Sequence, residues 1–373
     1  MKPVLDNLNN TVVRDGRYMP TLDGWRAVAI ILVILDHGSD SYSQFFRHVG
    51  IHLDFERIRS VGLLGVQIFF GLSGLLITSR LLAEEATTGR ISLRKFYIRR
   101  VFRILPAAVT FLFVVGMFTR SGIIPITLTR WLDTLFFFAN YSAAPISWYV
   151  GHFWSLAVEE HFYMLWPAAF LMLGLSGKRV RFAIVLALFV ALWRALDFKF
   201  HITNAIPAVF WGRTDIEADN ILWGVVVALL YSNLKWKNRM DSFLMSPLTL
   251  PTLLVFIIAE TMFPQSDWKI QFALITVQAI IIPLILLSTM LNKEKVTGTL
   301  LESWPLKIIG RISFSIYLWQ QLFLVWDNSV AQKIHLLQIF PINIVAATVC
   351  ASLSFFLIEK PCIKIGHKLT PAR

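Results

Sequence analysis

Two stretches of this 373-residue chain, 61–79 and 270–292, carry no charged side chain at all. A helix needs about 20 mainly apolar residues to cross the hydrocarbon of a bilayer. Runs of that kind recur ten times, over 23–40, 61–83, 97–119, 152–174, 180–198, 217–233, 248–264, 270–291, 306–327 and 341–359. The weakest is 217–233, which opens with Glu217 and Asp219. A further apolar stretch, 131–142 (WLDTLFFFANYS), is too short to span and reads as re-entrant or interfacial. Composition agrees, because 56% of residues are hydrophobic and only 16% charged. Soluble domains are about 25% charged, so the apolar excess has to face lipid. The expected fold class is therefore all-α, a polytopic membrane protein of ten transmembrane helices. The expected organisation is a cytoplasmic tail over 1–22, a transmembrane domain over 23–360 and a second cytoplasmic tail over 361–373.

The net charge is +12, and its distribution decides what it means. The basic residues fall in short loops between apolar runs, which argues against a nucleic-acid partner and for membrane topology. With the N-terminus inside, the cytoplasmic segments hold 20 Lys and Arg and the opposite loops hold 9. That bias places both termini in the cytoplasm and membrane lipid around the chain, in a bacterial cytoplasmic (inner) membrane. No small-residue cleavage site follows the first apolar run, so residues 1–22 read as a tail and not a removed signal. Cys350 and Cys362 are too few for a disulfide framework or a metal site, and no metal is expected.

A charge at mid-bilayer costs on the order of 3 kcal/mol, so ionisable groups inside spans are functional candidates. The first span, LDGWRAVAIILVILDHG, holds Arg26, Asp36 and His37. Arg26 and His37 are eleven residues apart, three helical turns plus about 20°, and so share a helix face. Along the axis they are separated by about 16 Å. Arg26 could instead snorkel to the headgroups and His37 could be an interfacial histidine, but the shared face favours function. Asp36 points about 100° away from His37.

The segment HFWSLAVEEHFYMLWP places His152, Glu159, Glu160, His161 and Tyr163 at the start of the fourth span. Adjacent carboxylates near a helix start also suit the helix dipole. Glu159 is seven residues from His152 and four from Tyr163, so one face gathers an imidazole, a carboxylate and a phenol, a set suited to general acid–base chemistry. In RKFYIRRVFRILPA, Arg100 and Arg103 share a face, and guanidinium forks pair bidentately with phosphate. Positive-inside charge would explain either arginine singly, but less well the placement of Arg103 within an apolar run. FFGLSGLLIT sets Ser73 between Gly71 and Gly74, where close helix packing is the plainer reading. GRISFSIYLWQQ puts Ser313, Tyr317 and Gln320 on or near one face, with Arg311 at the inner end. Such a face lines a cavity or glues helices together. Asp215, Glu217 and Asp219 cluster at the outer edge of the sixth span, some of them in solvent.

Taken in order, these five segments resemble the acyltransferase family 3 membrane proteins, over about residues 18–360. The resemblance implies a ten-helix fold that transfers an acyl group from cytoplasmic acyl-CoA, commonly acetyl-CoA, to a sugar hydroxyl of a surface polysaccharide, a lipid-linked glycan or a glycosylated small molecule. By position, Arg26 and His37 match the family's essential pair, Arg100 and Arg103 its donor-handling Arg-x-x-Arg, and Glu159 and Glu160 its paired glutamates near the acceptor. Catalytic roles are thus expected for His37, Arg26, Glu159 and Glu160, and donor binding for Arg100 and Arg103. Substrate contacts are expected from His152, Tyr163, Ser73, Ser313 and Tyr317. Three departures bear on the acceptor. His161 stands where Gln is usual, Gln320 where many members have His, and Glu217 where Arg-x-Asp is common, leaving Asp219 matched. Gln320 is accordingly given no catalytic role. Many members also carry an extracytoplasmic SGNH domain, for which the residues after the last span leave no room. A stand-alone member is expected, served by direct access of the acceptor or by a separate extracytoplasmic transferase. A transporter or flippase for a lipid-linked or exported glycan fits the composition equally well.

Overall fold

The computed structural model describes residues 19–51, 61–174, 176–203, 212–260, 268–325 and 331–371. Most of the predicted N-terminal tail, residues 261–264 of the seventh predicted span and 326–327 of the ninth lie outside them. Among the described residues every regular element is helical. The principal helices are α1 (Pro20–His37), α2 (Ser39–His48), α3 (Val61–Thr88), α4 (Leu93–Arg120), α5 (Leu128–Leu135), α6 (Phe153–Leu173), α7 (Ser176–Phe200), α8 (Thr214–Tyr231), α9 (Leu234–Leu244), α10 (Thr249–Glu260), α11 (Trp268–Leu291), α12 (Val296–Leu301), α13 (Trp304–Phe323), α14 (Ile342–Ser354) and α15 (Lys360–Leu369). A helix occupies each of the ten predicted segments. Among the described residues four stretches are long and apolar enough to cross a membrane: Val61–Thr88, Leu93–Arg120, Ala273–Leu291 and Ile342–Leu369. A fifth is added if α9 and α10, bent by 80° at their junction, count as one span.

Exposure within these helices is one-sided. On α4, Ile104, Ala108, Phe111 and Val115 are buried, while Val109, Phe113 and Met117 lie open on another face, Phe113 at 63%. On α14, Asn343, Ala347, Ala351 and Ser354 are buried, and Ile342, Val345, Val349 and Leu353 are open. An apolar face of that size is stable against hydrocarbon and not against water.

The chain divides into two compact units. The first comprises Met1–Val28, Val66–Ile91 and Val158–Gly310. Within it α7 and α8 pack along a stripe of small residues, Ala183, Ala187, Ala191 and Ala195, all 0–2% exposed. Small side chains let helix backbones approach closely, the dominant packing device in lipid. The approach of α3 to α8 is closer still, since a Cβ on Gly74 would sit 2.0 Å from the Ile221 carbonyl oxygen. A Cβ on Gly224 would lie 2.6 Å from that of Gly71. A buried ion pair joins α7 to α8: the Arg194 guanidinium donates to both carboxylate oxygens of Asp219 at 2.7 and 2.9 Å. It also donates to the Ile216 carbonyl at 2.8 Å and to Thr276 Oγ1 of α11 at 3.3 Å. The acidic cluster expected partly in solvent is thus anchored by a fully buried Asp219.

The second unit comprises Ala29–Gly65, Ser92–Ala157 and Arg311–Arg373. Here α15 lies along α4, and Gly366 is pressed against Phe102. The helix therefore continues through Leu369, into the segment expected to be a tail. The short apolar stretch 131–142 forms α5 and a turn, tied back by the Arg130 guanidinium to the carbonyls of Ala139, Ala144 and Pro145. Trp131 Nε1 donates to the Leu112 carbonyl at 3.0 Å, fastening α5 to α4. A π-helical turn at Phe355–Glu359 links α14 to α15 and buries Glu359, which accepts from Ser315 Oγ at 2.8 Å.

Two substitutions test this packing by thermal unfolding in detergent. Gly74→Val drives a branched side chain into the α8 backbone and is expected to destabilise by about 3 kcal/mol, the upper range for overpacking. Arg194→Met strands the Asp219 carboxylate, with an expected loss of about 3–5 kcal/mol that Asp219→Asn added to it partly restores.

Candidate functional site

The candidate residues fall into clusters that each unit builds for itself. In the second unit the framework is a single face of α13, because Tyr317, Gln320 and Gln321 follow the i, i+3, i+4 spacing that aligns residues on a helix, with Leu324 just beyond its end. Each of the four holds part of the cluster. Gln320 Oε1 lies 2.9 Å from His37 Nδ1, at the C-terminal end of α1. A carboxamide oxygen only accepts, so Nδ1 is the donor, and in the neutral imidazole Nε2 then keeps its lone pair. Trp148 packs against the same imidazole, ring centroids 5.1 Å apart and edge-on at 72°. Its own Nε1 donates to the Leu324 carbonyl at 2.7 Å. The His37 ring is thus held at one nitrogen and along one edge.

His152 sits in the turn just before α6, 1% exposed. Rings of Phe111, Phe153 and Tyr317 surround it at centroid distances of 5.5, 4.9 and 5.4 Å. Its backbone is fully engaged: the amide donates to Gln321 Oε1 at 2.8 Å, and the carbonyl accepts from Ser155 Oγ at 3.1 Å and Tyr317 OH at 3.2 Å. Ser155 Oγ and Tyr317 OH are themselves 2.5 Å apart. Neither ring nitrogen makes a well-formed hydrogen bond among the described residues. Ser313 is buried one turn earlier on α13. On α4, Arg100 and Arg103 are both half-buried, and the Arg100 guanidinium lies 5.8 Å from the Phe96 ring centre.

In the first unit, Glu159 and Tyr163 share a face of α6, as their spacing predicts, and Ser73 of α3 meets them. Ser73 Oγ donates to Glu159 Oε1 at 2.6 Å, Tyr163 OH donates to Glu159 Oε2 at 3.0 Å, and the two hydroxyls are 2.8 Å apart. Ser73, expected mainly to allow packing, therefore also binds a carboxylate. Glu160 is half-buried, and His161 Nδ1 lies 2.7 Å from Thr214 Oγ1. Arg26 is paired within α1 to Asp23 at 2.7 Å. Because α1 is unbroken from Pro20 to His37, Arg26 and His37 occupy one helix at the expected interval.

Sequence reasoning missed Trp148, Ser155 and Gln321, and it set Gln320 aside. The signal for Gln320 and Gln321 was present, since both continue the polar face that begins at Tyr317. Trp148 and Ser155 lie in or beside an irregular turn, where no periodicity points. Among the described residues no group of His, Cys, Asp and Glu is arranged to hold a metal ion.

Comparison with known proteins bears on this geometry. Residues 19–359 match the family model described as an acyltransferase domain. A Staphylococcus aureus (strain MSSA476) protein named "Putative O-acetyltransferase" is 29% identical over 96% of this chain and 59% of its own length. The O-acetyltransferase OatA of Staphylococcus aureus strain NCTC 8325 / PS 47 is 28% identical over 94% of this chain and 58% of its own. The chain therefore spans a little under three-fifths of the length of the curated relatives it matches. No solved structure matches it.

The carboxylate cluster makes a direct prediction. Ser73→Ala removes one of the two hydroxyl donors to Glu159 and should lower stability by about 1.5–3 kcal/mol, the range for hydrogen bonds to charged groups. Glu159→Gln added to Ser73→Ala removes the charge those donors serve, so the combined loss in thermal unfolding should fall short of the sum of the single losses.

Proposed function

The chain belongs to the acyltransferase-domain family, and from that premise we propose that it is a membrane O-acyltransferase. It moves an acyl group, acetyl first among them, from cytoplasmic acyl-CoA to a sugar hydroxyl. The acceptor is a surface polysaccharide, a lipid-linked glycan or a similar glycosylated molecule. The observation that carries the reading is the 2.9 Å contact of His37 Nδ1 with Gln320 Oε1, which in a neutral imidazole leaves the lone pair on Nε2. That is the form a general base requires.

The chemistry balances on that nitrogen. As the acceptor oxygen attacks the thioester carbonyl carbon, its proton passes to His37 Nε2. The C–O bond forms, the C–S bond breaks, and the departing thiolate takes the proton to leave as free CoA. The neutral imidazole suits the first transfer and the imidazolium it becomes suits the second. Arg100 and Arg103, at the positively charged end of α4, hold the CoA phosphates through bidentate guanidinium contacts. Arg26 and the Glu159–Glu160 pair keep the roles their motifs imply, the former toward the donor and the latter toward the sugar. His152, Tyr163, Ser73, Ser313 and Tyr317 supply polar contacts to substrate.

The topology completing this reading is ten spans with both termini cytoplasmic in a bacterial inner membrane. It is supported by the 20-to-9 bias of Lys and Arg between alternate loops and by a helix in each predicted segment. A separate extracytoplasmic transferase completes delivery when the acceptor cannot reach the membrane directly.

Purified protein in lipid nanodiscs, given labelled acetyl-CoA and a cell-envelope glycan extract, is expected to release CoA and to label the glycan in equal amounts. His37→Ala should lower that rate by about 10²–10⁴-fold, the contribution of a positioned base. Retention of the normal rate would remove His37 from the mechanism. Glycan movement across the bilayer without CoA release would identify a transporter instead. Arg100→Ala with Arg103→Ala should act differently, raising the KM for acetyl-CoA at least tenfold with a smaller change in kcat.

A further inference from the structure

The role of Gln320 follows from three observations within the second unit. Its side chain is fully buried on α13. Its Oε1 accepts from His37 Nδ1 at 2.9 Å. Its Nε2 is buried with no hydrogen-bond partner among the described residues. A buried amide with an unmet donor carries a desolvation penalty, which Leu or Met of similar volume would avoid. Stability therefore does not account for a carboxamide at this position. The oxygen does, because it decides which nitrogen of His37 holds the proton.

An imidazole without a partner on Nδ1 interconverts between two tautomers and turns about χ2. Trp148 restrains the ring plane from one edge but cannot choose the tautomer, since an aromatic edge offers no lone pair. We propose that Gln320 is the positioning residue of the acyl-transfer step, holding His37 as the Nδ1–H tautomer so that Nε2 faces the acceptor hydroxyl as a base. This rests on the proposed role of His37 as that base. Gln320 acts through the imidazole and need not touch substrate itself.

The test compares variants in nanodiscs by acetyl-CoA turnover with the glycan extract, each first checked by thermal melting and size exclusion. Gln320→Met keeps the volume and removes the acceptor. It is expected to lower kcat by about 10–100-fold, part of what a positioned base contributes, with KM for acetyl-CoA within twofold of the parent. Gln320→Glu restores an acceptor oxygen to Nδ1–H and should recover kcat at least tenfold over Gln320→Met. A purely structural residue would show neither the split between kcat and KM nor the rescue. The proposal is overturned if Gln320→Met turns over at the parental kcat while His37→Ala is inactive, or if the Met and Glu variants are equally impaired. Should Gln320→Met fail the melting check, Gln320→Ala is read against Gln320→Glu in the same way. An active His37→Ala would fail the base reading itself, which separates the two outcomes.

Discussion

The interior of a bilayer holds no water to satisfy a polar group, so each one buried there must find its partner in the protein. Five tryptophans obey, while Trp223 Nε1 and Trp319 Nε1 are buried without a partner among the described residues. Trp25 donates to Thr289, Trp131 to the Leu112 carbonyl, Trp148 to the Leu324 carbonyl, Trp166 to Thr78 and Trp193 to Asp215. Each bond joins separate segments of the chain within one unit, and four of the five join two helices. An indole body is compatible with lipid while its N–H is not, so the residue that packs best also demands a cross-link. Arg194 and Asp219 meet the same demand with charges. Their pair is worth little as stabilisation against a hydrophobic alternative, yet leaving either partner alone is severe.

Against that background the exceptions are informative. Among the described residues the amide nitrogen of Gln320 is buried without a hydrogen-bond partner, and the ring nitrogens of His152 make no well-formed one. Each such group costs about 1–3 kcal/mol. Gln320 bonds His37, and the adjacent Gln321 bonds the backbone of His152. Unmet hydrogen-bonding capacity gathered around a half-buried imidazole is what a substrate would satisfy on binding. Proteins break their own packing rules at functional sites, and one of the breaches here, at Gln320, lies against the residue that the sequence motifs single out.

Much of this was legible in the sequence, for identifiable reasons. Apolar run length follows directly from bilayer thickness, so the helix positions were accessible from composition alone. The Glu159–Tyr163 contact was accessible because both residues lie on one helix at i, i+4. What periodicity could not supply was any pairing between segments. Ser73 reaches Glu159 from 86 residues away, and Gln320 reaches His37 from 283. No local pattern encodes such a meeting. The setting aside of Gln320 has a particular cause. His is common at this point of the motif, and Gln there reads from sequence as a departure from it. The geometry shows that an acceptor oxygen remains at that point.

The choice of Gln over a titratable side chain at position 320 has its own physical consequence. Two ionisable groups in contact in a low-dielectric site titrate as a pair, and the protonation state of one then depends on the other. A carboxamide cannot change charge. It holds the orientation of His37 constant at every pH and leaves the imidazole to respond only to its surroundings and to substrate. The neighbouring His152 is enclosed by the rings of Phe111, Phe153 and Tyr317. A proton arriving at His37 during acyl transfer is met by the Gln320 carboxamide oxygen at Nδ1 and by the edge of Trp148. That oxygen steadies the imidazolium, and being uncharged it does so weakly enough for the proton to pass on to the leaving sulfur.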